Sequence, residues 1–293
     1  MTNSTVAYEP VFLGRHESGS EEWHELRAQG IGGSEVGTIL GLNKWESAFT
    51  LWCKKTGRIE GNIPVSEAME WGSRLEPVIL DKWREEHVFV NCIEQPGTYC
   101  HPDHPWMIAN PDAIYTDPTG DWKGIIEVKT AQFEDDWADG VPRHYEAQVQ
   151  WYLQILGLEH AYVVALFHGN RYREFEVHAN PLAQEAALDA ASVFWACVVN
   201  DMQPDFDGSM STYQTVRTIH PDIEDGEVEL GYLGEQYFTA KAAAEKAEAD
   251  VTYLKSAILR EMGRAKRGLV NDVWTFTRQA RNGGTPYLVE KRG

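Results

Sequence analysis

The first ninety residues repeat apolar and polar positions with helical spacing. "SEEWHELRAQG" predicts a short helix stopped by Gly30, and "GSEVGTILG" and "SAFTLWCKKTG" each open at a serine cap and close on a glycine. "SEAMEWGSRLEPVILDKWREEH" lines up Leu75, Ile79 and Trp83 on one face, with Pro77 predicting a kink or a start inside it. From residue 88 to 129 the pattern changes to short β-rich runs, "VFVNCIE", "WMIAN", "DAIYT" and "GIIEVKT", parted by turn residues. A helix follows at "RHYEAQVQWYLQILG", then strands at "HAYVVALFHG" and "RYREFEVH", then a helix at "PLAQEAALDAASVFWACVVND". Helices, a mixed sheet and crossover helices predict an α/β core that ends near Asp201.

Beyond "MQPDFDGSMSTYQT" the pattern changes again. Leu233, Tyr237, Ala240, Ala244, Ala247, Val251, Leu254 and Ile258 recur in steps of four and three, a heptad stripe on a helix from about Gly226 to Met262. Such a stripe fits one long helix packed on its own domain, a helical hairpin, or an intermolecular coil. "GLVNDVWTFTRQA" and "PYLVEKR" predict a terminal β-hairpin around "RNGGT". The expected organisation is a core over residues 1–205 and an accessory module over residues 213–293.

Length and composition leave this picture in place. A chain of 293 residues, 43% hydrophobic and 24% charged, can form one large domain or a domain with an appendage. No apolar run approaches the ~20 residues of a membrane span, and "MTNSTVAYEPVFLG" lacks the regions of a signal peptide. Cys53, Cys92, Cys100 and Cys197 are scattered, which argues against a zinc ribbon or iron–sulfur cluster and suits free thiols in the cytoplasm. The net charge of −19 speaks against phosphate contacts, but it is unevenly distributed. From Leu254 onward nine basic residues face three acidic ones, a net of +6 that leaves about −25 on the rest. An acidic body with a basic end can still hold a polyanion locally.

The chemistry concentrates in "IANPDAIYTDPTGDWKGIIEVKT". Asp112 opens one strand, while Glu127 and Lys129 lie two apart on the next and share a face. A return through "DPTGDWKG" brings Asp112 toward Glu127, and facing carboxylates repel unless a cation neutralises them. Oxygen ligands with no nearby His or Cys suit Mg²⁺ or Mn²⁺, and a lysine beside the ion can orient a water and offset phosphorane charge. The arrangement suits metal-assisted phosphodiester hydrolysis. The same spacing also fits two surface strands with solvated charges.

The surrounding residues narrow that choice. "NPDAIYTDPTGDWKGIIEVKT" resembles the PD-(D/E)xK nuclease motif, and "AQVQWY" resembles the Gln148-x-x-x-Tyr152 helix motif of its RecB-like branch. "EWGSRLEP" resembles the first-helix motif of that branch, whose glutamate is Glu76 here. "WHELRAQGIGGSEVGTILGLNKW" is similar to the N-terminal signature of the YqaJ viral recombinase and lambda-exonuclease family. The resemblance runs in order from about Trp23 to about Asp201.

It implies a PD-(D/E)xK restriction-endonuclease-like α/β core with a long helix and β-hairpin appended. It also implies a phage recombination nuclease that degrades one strand of linear duplex DNA from the 5′ end, leaving 3′ tails. By resemblance, Asp112, Glu127 and the Val128 carbonyl ligate Mg²⁺ (Mn²⁺ as substitute), with Glu76 completing the site directly or through water. Lys129 activates the water, and Gln148 and Tyr152 support the site or hold the strand, with core packing a close alternative for Tyr152. Arg27 and Ser34 take the positions of the family's 5′-phosphate pocket. Asn110 stands where the family has a phosphate-binding serine, and a second expected arginine falls near Asp135, with Arg143 or His144 as stand-ins. Implied partners are double-stranded DNA ends, further copies of the chain in a ring (a trimer is one option) and a single-strand annealing protein, with no membrane. A structure-specific endonuclease using the same residues, or a non-catalytic DNA- or partner-binding module, are the alternatives.

Overall fold

Ser20, Ser47, Ser66, Asn180 and Ser209 each accept a backbone N–H with their side chain and so start a helix, which sets much of the chain's segmentation. The computed structural model describes residues 8–16, 19–61, 66–271 and 274–292. They fall into two units, Met1–Asp222 and Ile223–Gly293.

The first unit runs β1 (Val11–Gly14), α1 (Glu21–Ala28), β2 (Ile31–Gly32), α2 (Gly33–Ile39), α3 (Ala48–Lys55), α4 (Glu67–Glu86), β3 (Asn91–Glu94), β4 (Thr98–Cys100), β5 (Met107–Ala109) and β6 (Ala113–Thr116). It continues with β7 (Trp122–Ala131), α5 (Arg143–Leu156), β8 (His160–Phe167), β9 (Arg171–His178), α6 (Pro181–Val199) and α7 (Met210–Ile219). The larger sheet has the order β3-β6-β7-β8-β9, antiparallel except for β7 and β8, which α5 connects as a parallel crossover. A smaller sheet has the order β1-β4-β5-β2. The architecture is a mixed α/β core with helices on both faces of its main sheet, as the sequence predicts.

Strand alternation divides the core in two. Ile125 of β7 and Val163 and Ala165 of β8 pack with Val149, Trp151 and Leu153 of α5. Ile126 and Val164, on the opposite face, pack with Ile79, Leu80 and Trp83 of α4. Pro77 neither starts α4 nor ends it. An interior proline costs about 3 kcal/mol, while burying three large side chains such as Ile79, Leu80 and Trp83 returns roughly 1.5–3 kcal/mol each. The cap of α2 is Gly32 rather than a serine, and the Glu35 carboxylate accepts the Gly32 N–H at 2.8 Å.

Residue 213, the expected start of the accessory module, falls inside α7, and the division lies instead after Asp222. Helix α7 is joined to α3 by hydroxyls: Thr215 and Ser211 reach Thr50 at 2.8 and 2.7 Å, and Thr212 donates to Ser47 at 2.8 Å. Beside this polar joint, Val216 and Ile219 of α7 pack against the core. Helix α6 is long and apolar enough to cross a membrane by length and composition, yet it carries Glu185 and Asp189 and buries Ala187, Ala191 and Phe194 in the core.

The second unit holds α8 (Gly231–Met262), β10 (Arg267–Val270), β11 (Trp274–Gln279) and β12 (Tyr287–Arg292). The expected first strand of the hairpin breaks into β10 and β11, giving a three-stranded antiparallel sheet. Helix α8 begins at Gly231 rather than near Gly226, and contains no buried residue. Leu233, Tyr237 and Leu254 of its heptad stripe are exposed.

Candidate active site

Strand β6 starts at Ala113, so the β7 backbone beyond Ile126 has no β6 partner. Asp112 takes over there: its Oδ2 accepts the Val128 N–H at 2.7 Å. The register that pairs Ala113 with Ile126 sets Asp112 beside Glu127. Glu127 is buried, and its Oε1 accepts from Lys129 Nζ at 2.7 Å and from Gln148 Nε2 at 2.6 Å. Lys129 Nζ also donates to Gln148 Oε1 at 3.2 Å and lies 4.7 Å over the Tyr145 ring. Gln148 and Tyr152, one turn apart on α5, are joined by a 3.3 Å hydrogen bond from Nε2 to the phenol oxygen.

The charges are strained. Burial, then Glu127 and Glu76, push Asp112 well above the usual carboxylate range. Burial, then Glu127 and Glu94, push Glu76 of α4 up to about 6. Burial works against the charge on Lys129, but Glu127 and Asp112 outweigh it and hold the ammonium above its ordinary value. Three carboxylates share one ammonium, and the second oxygen of Glu127, Oε2, is buried without a partner. An all-oxygen donor set with an orphaned buried carboxylate oxygen fits a hard divalent cation such as Mg²⁺.

Next to this cluster is a pocket lined by Trp23, Leu26, Arg27, Gly32, Thr98, Ile108, Asn110 and Tyr152. Arg27 donates to Ser34 Oγ at 3.0 Å, lies 3.3 Å from Glu35 and stacks 4.6 Å over the Trp23 ring. Asn110 Oδ1 accepts from Thr98 Oγ1 at 3.0 Å, which leaves its amide N–H groups to the pocket. Gly33 is needed because a Cβ there would come within 2.5 Å of the Tyr152 ring. The structure thus brings Asp112, Glu127, Val128, Lys129, Gln148 and Glu76 together and sets Arg27 and Asn110 in the pocket lining, with Ser34 outside the lining but bonded to Arg27 and Tyr152 belonging to both groups. Asp135 sits in a 3₁₀ turn and Arg143 is exposed at the start of α5; neither lines the pocket, nor does His144.

Sequence reasoning misses Lys55 and Glu35. Buried Lys55 donates to the carbonyls of Arg27 and Gly30 at 2.6 Å each and pairs with Glu35 at 2.9 Å. Burial pushes the Glu35 carboxyl up, but Lys55 and Arg27 outweigh it and hold the group below the usual carboxylate range. The partners are 20 to 28 residues apart in sequence, and neither "CKKTG" nor "GSEVG" marks them.

Residues 22–159 match the family described as the YqaJ-like viral recombinase domain. The chain is 29% identical over 273 residues to the uncharacterized protein YqaJ of Bacillus subtilis, spanning 89% of this chain and 84% of that one. Protein D345L of African swine fever virus is 26% identical over 164 residues, 48% of this chain and 46% of that one. The crystal structure of an alkaline exonuclease from Laribacter hongkongensis shares the fold, with a TM-score of 0.53 and 19% identity over 69% of this chain and all of that one.

Proposed function

We propose, from the match of residues 22–159 to the YqaJ-like viral recombinase domain family, that the chain is a divalent-metal-dependent 5′→3′ exonuclease acting on the ends of double-stranded DNA. One observation carries the reading. Tyr152 lines the arginine pocket and meets Gln148, and Gln148 in turn donates to Glu127. A terminal phosphate held by Arg27, Ser34 and Asn110 would therefore sit one side-chain relay from the carboxylates that cut.

Asp112, Glu127 and the Val128 carbonyl would hold Mg²⁺ or Mn²⁺, with Glu76 completing the set directly or through water. When bound, the ion supplies a water of lowered pKa and offsets charge on the phosphoryl oxygens. Lys129 is fixed by Glu127, Gln148 and the Tyr145 ring, so its N–H groups can orient the attacking water and steady the pentavalent phosphorus. Gln148 keeps Glu127 and Lys129 in register. Lys55 and Glu35 hold Arg27 aimed at the pocket before DNA arrives, which saves ordering cost on binding.

One strand would be digested from its 5′ end, leaving 3′ single-stranded tails for an annealing protein. Assembly of several copies into a ring and action in the cytoplasm of a host cell belong to the same reading. The test is incubation with linear duplex and with closed circular duplex, each with Mg²⁺ or with EDTA. Loss of the linear DNA alone, only with Mg²⁺ and faster from 5′-phosphate ends, is expected. Conversion of the circle would make the chain an endonuclease, and cleavage in EDTA would remove the metal from the mechanism.

A further inference from the structure

We propose that His160, Glu176 and His178 form a binding site for a borderline transition cation such as Zn²⁺, separate from the carboxylate cluster. The antiparallel register sets His160 of β8 directly opposite His178 of β9, with Tyr162 opposite Glu176 one step along the same face. One ligating atom from each of the three side chains lies within 4.8 Å of the other two. Four-coordinate Zn²⁺ with bonds of about 2.1 Å needs ligand atoms roughly 3.4 Å apart. The difference is a side-chain rotation, open to Glu176, whose side chain is 61% exposed, and to exposed His178.

The surroundings are built for ligation. The Tyr115 hydroxyl bonds His160 Nδ1 at 2.5 Å, which turns Nε2 toward Glu176, 3.7 Å away. Tyr115 reaches His160 from β6 by crossing β7 at Gly124, where a Cβ would come within 2.6 Å of the phenol. A ligating histidine donates its other ring N–H, and with Nδ1–H given to the Tyr115 phenol oxygen the Nε2 lone pair is free for the ion. Gln150 Nε2 donates to the His178 carbonyl at 2.7 Å and steadies the end of β9. Two imidazoles and one carboxylate select Zn²⁺, Co²⁺ or Ni²⁺ over Mg²⁺, the reverse of the oxygen-only cluster. The two sites are physically distinct. Gly124, level with His160, is three residues before Glu127, about 10 Å along the strand and on the opposite face of the sheet. A cation there would tie the edge strand β9 to β8.

The experiment is a titration of the full chain with Co²⁺ in excess Mg²⁺, read by the visible d–d band of four-coordinate cobalt, with Zn²⁺ as competitor. One saturable equivalent is expected, with a rise in melting temperature. His178→Ala should abolish the band and Glu176→Gln should weaken binding at least tenfold, while circular dichroism stays unchanged because both side chains are exposed. Tyr115→Phe should weaken it about tenfold, the usual effect of removing a hydrogen bond to a ligand, and Asp112→Asn should leave it intact. No saturable band in the wild type, a band that survives His178→Ala with Glu176→Gln, or one that disappears with Asp112→Asn would each overturn the site.

Discussion

Gln148 Nε2 donates to Glu127 Oε1 at 2.6 Å, while the other oxygen of that carboxylate is buried with no partner. The glutamine thus pins the carboxylate with one oxygen free. Gln148→Leu should lower kcat by about 10–100-fold, the usual effect of removing a group that orients a metal ligand. KM for DNA should change little, because Gln148 does not line the pocket. Steady-state digestion of a labelled duplex measures both, and an unchanged kcat would deny Gln148 any positioning role.

Asp112 is both a candidate ligand and the partner of the Val128 N–H. Asp112→Asn keeps an acceptor for that N–H and should abolish Mg²⁺-dependent cleavage with the fold intact. Asp112→Ala leaves the N–H unpaired, at about 1–3 kcal/mol, but relieves the repulsion with Glu127 and Glu76. Its melting temperature should therefore sit within a few degrees of wild type. Wild-type cleavage by either variant would sink the assignment.

The raised carboxylates set a pH dependence. Glu76 moves from its ordinary 4.5 to about 6, and Asp112 moves upward too. A carboxylate with a raised folded-state pKa takes up its proton more readily folded than unfolded, so its contribution to stability is present at low pH and is lost as pH rises from 4.5 through about 6. Cation binding needs both groups ionised. The melting-temperature gain on adding Mg²⁺ should be larger at pH 8 than at pH 5, and cleavage should rise through pH 6. Glu76→Gln should shrink that difference, and an equal Mg²⁺ effect at both pH values would count against this site.

Arg27→Ala should slow digestion and shorten each run along DNA, because an anchored charge-assisted hydrogen bond is worth about 1.5–3 kcal/mol. Lys55→Met should have the same sense of effect through Arg27 alone, since Lys55 is buried and bonds the Arg27 carbonyl. The preference for 5′-phosphate over 5′-hydroxyl ends reports both. No preference in the wild type would show that the pocket holds something other than a terminal phosphate.

Ending the chain after Asp222 should leave a folded core. Ending it after Thr212 should not, because Thr215 then no longer covers Thr50. The shorter chain should lose roughly 2 kcal/mol or more, from the lost helix and the exposed hydroxyl joint. Chain 1–222 also lacks the nine basic residues beyond Leu254. It should bind duplex DNA more weakly and with a flatter salt dependence. Equal denaturation midpoints for the two truncations would place the boundary elsewhere.

Much of the candidate site's geometry was legible because its parts are local. Glu127 and Lys129 share a face through strand alternation, Gln148 and Tyr152 lie one helical turn apart, and Asp112 is joined to β7 by a short return. Helices α1, α3 and α4 follow from apolar spacing and capping serines, α2, α5 and α6 from apolar spacing, and α8 from its heptads, whereas α7 was not foreseen. What lacked a local signal was missed. The join of α7 to α3 runs largely through hydroxyls, and the continuation of α4 through Pro77 depends on packing against the sheet.

The sequence by itself determined which chemistry was present: two carboxylates and a lysine with no imidazole beside them, a donor set that suits a hard cation, while Glu76 followed only from the resemblance. Only the tertiary structure decided which atoms are satisfied and which are not. Lys55, Glu35 and Arg27 meet because α1, β2, α2 and α3 converge there, and His160 faces His178 because the β8–β9 register aligns them. A register shift of one residue would send those imidazoles to opposite faces without changing composition or periodicity. Pairing between strands is settled by the packing of the whole core, and a linear pattern does not contain it.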